Sequence, residues 1–179
     1  MVSVSVRFFT VFSNWLKKMQ ASTVLIVEHD ERVCRVLSRI IKRMGYVPFP
    51  AGNYEDFKAL YAEQQPAAIL LNLGLPGNDH TEFFRYLVEQ HSAATIILLC
   101  DLEENETGEF IQLGRSAGLN MGGALRKPVD VDAVKKVLQE RVSPLKKSSV
   151  NRQTTAAAGQ DRFLDLAQFF KNRISLILM

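Results

Sequence analysis

The sequence predicts an α/β protein built on a parallel β-sheet that is doubly wound, with helices on both faces. Three observations carry this. Apolar runs of strand length at residues 23–27, 67–71 and 95–100 proceed without polar alternation, as strands buried on both faces do. Each run stops at polar residues, Glu28-His29-Asp30, Asn72 and Asp101 respectively. Between the runs, apolar residues recur at helical spacing, so strand and helix alternate five times along the chain. Right-handed crossovers turn such alternation into a sheet covered on both sides.

The elements follow in order. Thr23-Val24-Leu25-Ile26-Val27 is the first strand. Val33, Val36, Leu37, Ile40, Ile41 and Met44 then recur at three- and four-residue steps until Gly45, which reads as an amphipathic helix with a glycine stop. Arg32, Arg35, Arg39, Lys42 and Arg43 share that helix and read as its solvated face. Tyr46-Val47-Pro48-Phe49 is strand-like, and Pro48, lacking an N–H, argues for a sheet edge. Phe57, Leu60 and Tyr61 mark a short second helix, and the buried strand at 67–71 leads to Asn72 and a Gly/Pro loop. Residues 80–90 form a third helix with Phe83, Phe84, Leu87 and Val88 inward, followed by the strand at 95–100. A weaker helical pattern over 103–117, interrupted by Gly108 and Gly114, precedes a poor last strand at 121–125. Asp130 then caps a helix carrying Val131, Val134, Val137, Leu138 and Val142.

Asn72 is the most informative residue. In open α/β sheets ligands bind at the carboxyl ends of the strands, so a polar side chain at a strand mouth is a site candidate. The plainer reading is an amide that caps a loop.

Composition bounds the function classes. With 179 residues, 47% hydrophobic and 23% charged, the chain holds one good domain plus appendages. The net charge of +3 is scattered, and no basic stripe interleaved with aromatics calls for nucleic acid. Cys34 and Cys100 have neither metal-ligand spacing nor the density of a disulfide scaffold, which suits a reducing cytoplasm. Residues 1–22 stand apart: Val2, Val4 and Val6 alternate, then Phe8, Phe12, Trp15 and Leu16 recur at helical spacing. The apolar stretch in residues 1–18 is too broken and short to span a bilayer, and Lys17-Lys18 lies on the wrong end for a secretory signal. Two readings stay open, an over-extended start with Met19 as the natural one, or a functional apolar arm, for which membrane contact is not expected.

Residues 23–142 resemble the receiver domain of two-component response regulators. Glu28 after the first strand, the Leu75-Pro76-Gly77 loop beyond the third and Lys127-Pro128 after the fifth carry the resemblance in order and spacing. It implies a flavodoxin-like, CheY-like five-stranded sheet of order 2-1-3-4-5. In that family an acidic pair follows strand one, a phosphoacceptor Asp ends strand three and a Ser or Thr ends strand four.

The departures from that pattern all fall on the phosphate chemistry. Asn72 occupies the phosphoacceptor position, and an amide is a poor nucleophile that brings no charge. His29 stands for the second acid, leaving Glu28, Asp30 and the neutral oxygen of Asn72 as a weak set for Mg²⁺, and no other cofactor is expected. Cys100 replaces the hydroxyl residue, and Ala124 stands where the family places an aromatic that moves on activation. Lys127, beside a neutral Asn72, is expected to pair with Glu28 or Asp30. The resemblance thus reads as a pseudo-receiver.

Gly118-Leu119-Asn120 followed by Leu125-Arg126-Lys127-Pro128-Val129-Asp130 is similar to receivers joined to EAL domains, which hydrolyse cyclic di-GMP. Residues 143–160 form a polar linker, and residues 161–179 read as a helix and strand of the kind that begins an EAL domain, or as an amphipathic tail docked on its own domain. No Glu-Ala-Leu motif or clustered metal carboxylates occur, so the chain is not expected to be an enzyme, and it reads as a fragment or a truncation. The expected function is a signalling module acting through a sensor kinase, an output domain or another receiver, with a homodimer face at residues 103–142 as in ordinary receivers. Two alternatives stand beside it: a redox or ligand sensor centred on Cys100, and a phosphorelay receiver using Asp79 or Asp101 as acceptor.

Overall fold

A computed structural model of the chain describes residues 23–76, 80–100 and 104–142. The expected N-terminal arm at 1–22, the linker at 143–160, the helix and strand at 161–179, and Gly77, Asp79 and Asp101 lie outside the described residues. The elements are β1 Thr23–Val27, α1 Glu31–Arg43, β2 Val47–Ala51, α2 Tyr54–Gln64, β3 Ala68–Asn72, α3 His80–Glu89, β4 Thr95–Cys100, α4 Glu104–Ser116, β5 Met121–Arg126 and α5 Val131–Arg141. The five strands pair in parallel in the order β2-β1-β3-β4-β5, as expected. Boundaries differ from the sequence reading by one or two residues at several ends, and the one that matters is β3, which takes in Asn72 as its last residue.

The doubled covering follows from strand parity. On β1 and β3, Leu25, Val27, Ile69 and Leu71 point into one core with Phe57 of α2 and Phe83 and Leu87 of α3. Their neighbours Val24, Ile26, Ala68 and Leu70 point into the other, against Leu37 and Ile41 of α1 and Val134 and Leu138 of α5. Since both parities are buried, the strands carry no polar alternation. Within the first core Phe57 and Phe83 lie 5.1 Å apart, and Tyr54 meets Phe83 edge-on at 5.0 Å, geometries that aromatic rings favour.

β2 is an edge strand, and its two prolines explain how it tolerates their missing donors. The carbonyl of Ala51 accepts from Glu28 N at 3.0 Å, so odd-numbered β2 residues face β1. Pro48 and Pro50 have the opposite parity and turn their nitrogens to the open side. The helix ends are local devices, of which the sequence reading named Asp130 and Gly45. Asp30, Asn53 and Asp130 accept backbone N–H bonds from Arg32, Asp56 and Ala133. Gly45, at φ 84°, closes α1 with Tyr46 N bonded to Ile41 O and Gly45 N to Lys42 O. No helix among the described residues is long and apolar enough to cross a membrane.

α4 runs unbroken through Gly108, which has nothing within 4 Å of a would-be Cβ. On β5, a Cβ at Gly122 would come 2.6 Å from Thr95 Cγ2 and 3.2 Å from Ile97 Cγ1. The two glycines should therefore respond oppositely to alanine. Gly108→Ala is expected to stabilise by about 0.5–1 kcal/mol through helix propensity, and Gly122→Ala to destabilise by about 1–3 kcal/mol through overpacking. Urea unfolding of the two variants checks both signs.

Candidate functional site

The parity that builds the two cores also selects which polar residues meet. Counting on from Val24 and Ile26, Glu28 emerges from β1 on the side of α1 and α5. Asn72 follows Ala68 and Leu70 on the same side of β3, and Lys127 follows Leu125 beyond β5. The three side chains converge at the carboxyl end of the sheet, with Glu28 1% and Asn72 2% exposed.

Glu28 is the centre. Its Oε1 accepts from Asn72 Nδ2 at 2.9 Å and from the backbone N–H of Asp30 at 3.1 Å. His29 Nδ1 lies 3.1 Å from the same oxygen. The ammonium of Lys127 sits 2.7 Å from Oε2, with its own side chain 18% exposed. Burial by itself would raise the Glu28 carboxyl, but the hydrogen bond and charge of Lys127, the Asp30 N–H and the Asn72 amide outweigh it and hold the carboxyl below its ordinary 4.5.

Asn72 is used at both ends. Its Oδ1 accepts from Gly74 N at 2.8 Å, closing the turn after β3. Exchanging its nitrogen and oxygen would set a carbonyl against the Glu28 carboxylate and an NH₂ against an N–H. The network therefore fixes the orientation. Loop cap and strand-mouth group, the two sequence readings of Asn72, are served by one side chain.

The remaining candidates are placed elsewhere. Asp30 turns away to cap α1, 2.7 Å from Arg32 N, so of the two acids offered for Lys127 it is Glu28 that meets it. His29 is 46% exposed at the rim. Cys100 follows Ile96 and Leu98 into the opposite core, where its thiol lies 3.4 Å from Thr107 Oγ1 of α4. Ala124 packs against that same core. Thr107, which the sequence reading did not single out, is the polar partner of Cys100; its position one helical turn into α4 was the available signal. Cys34 donates to the Glu28 carbonyl at 3.2 Å, another contact the sequence did not announce. Burial and the neighbouring Glu28, Asp30 and Glu31 push the Cys34 thiol up, which keeps it protonated. The Lys127–Pro128 peptide is cis.

This donor set does not fit Mg²⁺. That ion requires oxygen ligands in near-octahedral array, whereas Glu28 meets nitrogen donors at both oxygens and Asn72 presents its nitrogen to the pocket. No three His, Cys, Asp or Glu side chains among the described residues converge as metal ligands.

The sign of the pH dependence follows. A carboxyl held below its unfolded value contributes stability above about pH 4.5, and that contribution disappears as pH falls through the lower folded value. Denaturation across the acid range should show this loss. Glu28→Gln should flatten it while costing about 1–3 kcal/mol at neutral pH through the lost charge-assisted bonds. An acid slope identical in the variant would contradict the assignment to Glu28.

Comparison with known proteins agrees with the fold. The family model described as response regulator receiver domain matches residues 24–139. Sporulation initiation phosphotransferase F of Bacillus subtilis (strain 168) is 23% identical over 128 residues, covering 72% of this chain and 98% of that protein. The KDP operon transcriptional regulatory protein KdpE of Escherichia coli (strain K12) is 32% identical over 85 residues, 48% of this chain and 38% of that relative, so the chain spans little more than a third of its length. Among solved structures, a response regulator from Colwellia psychrerythraea is 27% identical with TM-score 0.58, covering 68% of this chain and 96% of that one. The CheY-like receiver domain protein from Methanospirillum hungatei JF-1 shares the fold at 19% identity, TM-score 0.58, with 68% and 93% covered. The matched family model covers more than half of the sequence, and this chain belongs to the response regulator receiver domain family.

Proposed function

We propose that this receiver serves two-component signalling without accepting a phosphoryl group at Asn72, and that it acts through contacts with other proteins. The observation that carries the reading is the state of Asn72 itself. Its nitrogen is bound to Glu28 and its oxygen to Gly74 N, at 2.9 and 2.8 Å, so the side chain at the strand mouth is a neutral structural tie. An amide is a poor nucleophile for phosphorus, and the Lys127 ammonium is turned to Glu28.

In this reading the output passes through surfaces. The face made by α4, β5 and α5 is the one to which a sensor kinase, an output domain, another receiver or a second copy would bind. The likeness of Leu125-Arg126-Lys127-Pro128-Val129-Asp130 to receivers that precede EAL domains supports a regulatory half of a cyclic di-GMP phosphodiesterase-like protein, itself non-enzymatic and working in the cytoplasm. The thiol-sensor alternative has less behind it, because Cys100 is 4% exposed and packed against Thr107.

Acetyl phosphate with Mg²⁺, followed by intact mass, tests the proposal on wild type beside Asn72→Asp. Wild type is expected to stay unmodified and Asn72→Asp to gain a phosphoryl group, since the variant supplies the missing carboxylate. A phosphorylated wild type would overturn the reading and move attention to Asp79 or Asp101.

A further inference from the structure

Resting on the reading of this pocket as one that takes no phosphoryl group, we infer that Lys127 is the built-in counter-ion of Glu28 and closes the pocket to divalent cations. The geometry is specific. Lys127 Nζ stands 2.7 Å from Oε2 of a side chain that is fully buried, while Lys127 retains a partial path to water. A magnesium ion coordinated to that oxygen would lie roughly 2 Å from it, and hence only about 4 Å from the ammonium. Oε1 offers no alternative, because Asn72 Nδ2 and Asp30 N already donate to it. A cation there would face an NH₂ group and an N–H, each with its positive end toward the ion.

The Asn72 amide and the Lys127 ammonium therefore act as one unit. With an aspartate at position 72, two carboxylates would face each other at the 2.9 Å that now separates amide from carboxylate, and a cation or proton would be needed between them. With asparagine, one negative charge remains, and one lysine suffices for it. The consequence concerns regulation: a counter-ion covalently attached beyond β5 cannot be released by a change in metal concentration, so the tie among β1, β3 and β5 persists whether or not the surroundings contain Mg²⁺.

The experiment compares thermal midpoints of the full chain in chelator and in millimolar MgCl₂ or MnCl₂ at matched ionic strength, and titrates each ion by calorimetry into metal-free protein without chelator. Wild type is expected to bind neither ion saturably and to keep its midpoint. Lys127→Met retains the stem but removes the charge, and should gain a midpoint rise of a few degrees with either cation, while Lys127→Arg should stay indifferent. Saturable binding by wild type, or a Lys127→Met variant that ignores both ions, would overturn the inference. If Lys127→Met does not fold, the wild-type titration decides by itself, absence of binding supporting the inference and saturable binding refuting it. These readouts are independent of phosphorylation, so wild type can fail here while the unmodified mass stands, or the reverse.

Discussion

A charged carboxylate buried at the end of a sheet is tolerated only if it is paired and hydrogen-bonded. Glu28 meets that condition through one ammonium and an array of nitrogen donors, drawn from three strand ends that are distant in sequence. The carboxylate is thus as much a structural demand as a functional group. It requires β1, β3 and the segment after β5 to keep their register, because a slip of one residue would carry Asn72 or Lys127 to the other face.

The same constraint explains why the unusual residues of this receiver are coupled. The Asn72 NH₂ supplies a bond to Glu28 that a carboxylate could not. Lys127 neutralises the buried Glu28 carboxylate. His29 reaches Glu28 Oε1 from the rim with its ring half exposed, and Asp30 caps α1. The residues around Glu28 form a polar cluster in which Oε1 is hydrogen-bonded and Oε2 is met by the Lys127 ammonium.

Cys100 and Ala124 belong to a different environment. Both point to the core beneath α2, α3 and α4, where Cys100 meets Thr107 and Ala124 packs among apolar neighbours. A small residue at position 124 leaves no large ring there to change rotamer, and the side of the sheet that carries the Glu28 cluster has no direct view of it. The strand ladder connects the two sides, pairing Asn72 with Leu99 and Cys100 with Arg126.

The sequence alone determined the fold. Continuous apolar runs mean strands buried on both faces, the prolines of β2 mean an edge, Asp130 means a helix start and Gly45 a helix stop, and each of these is a local rule that needs no distant partner. It also placed Asn72 and Glu28 at strand mouths. What only the tertiary structure decided is which of those groups touch. Whether Lys127 takes Glu28 or Asp30, whether Cys100 shares the pocket, and which end of the Asn72 amide faces the carboxylate all depend on strand parity carried across a register between residues 28, 72 and 127. Side chains alternate with a period of two, and one residue more or less at a strand end reverses the answer. A linear pattern identifies the strand; only the assembled sheet fixes that last residue's side.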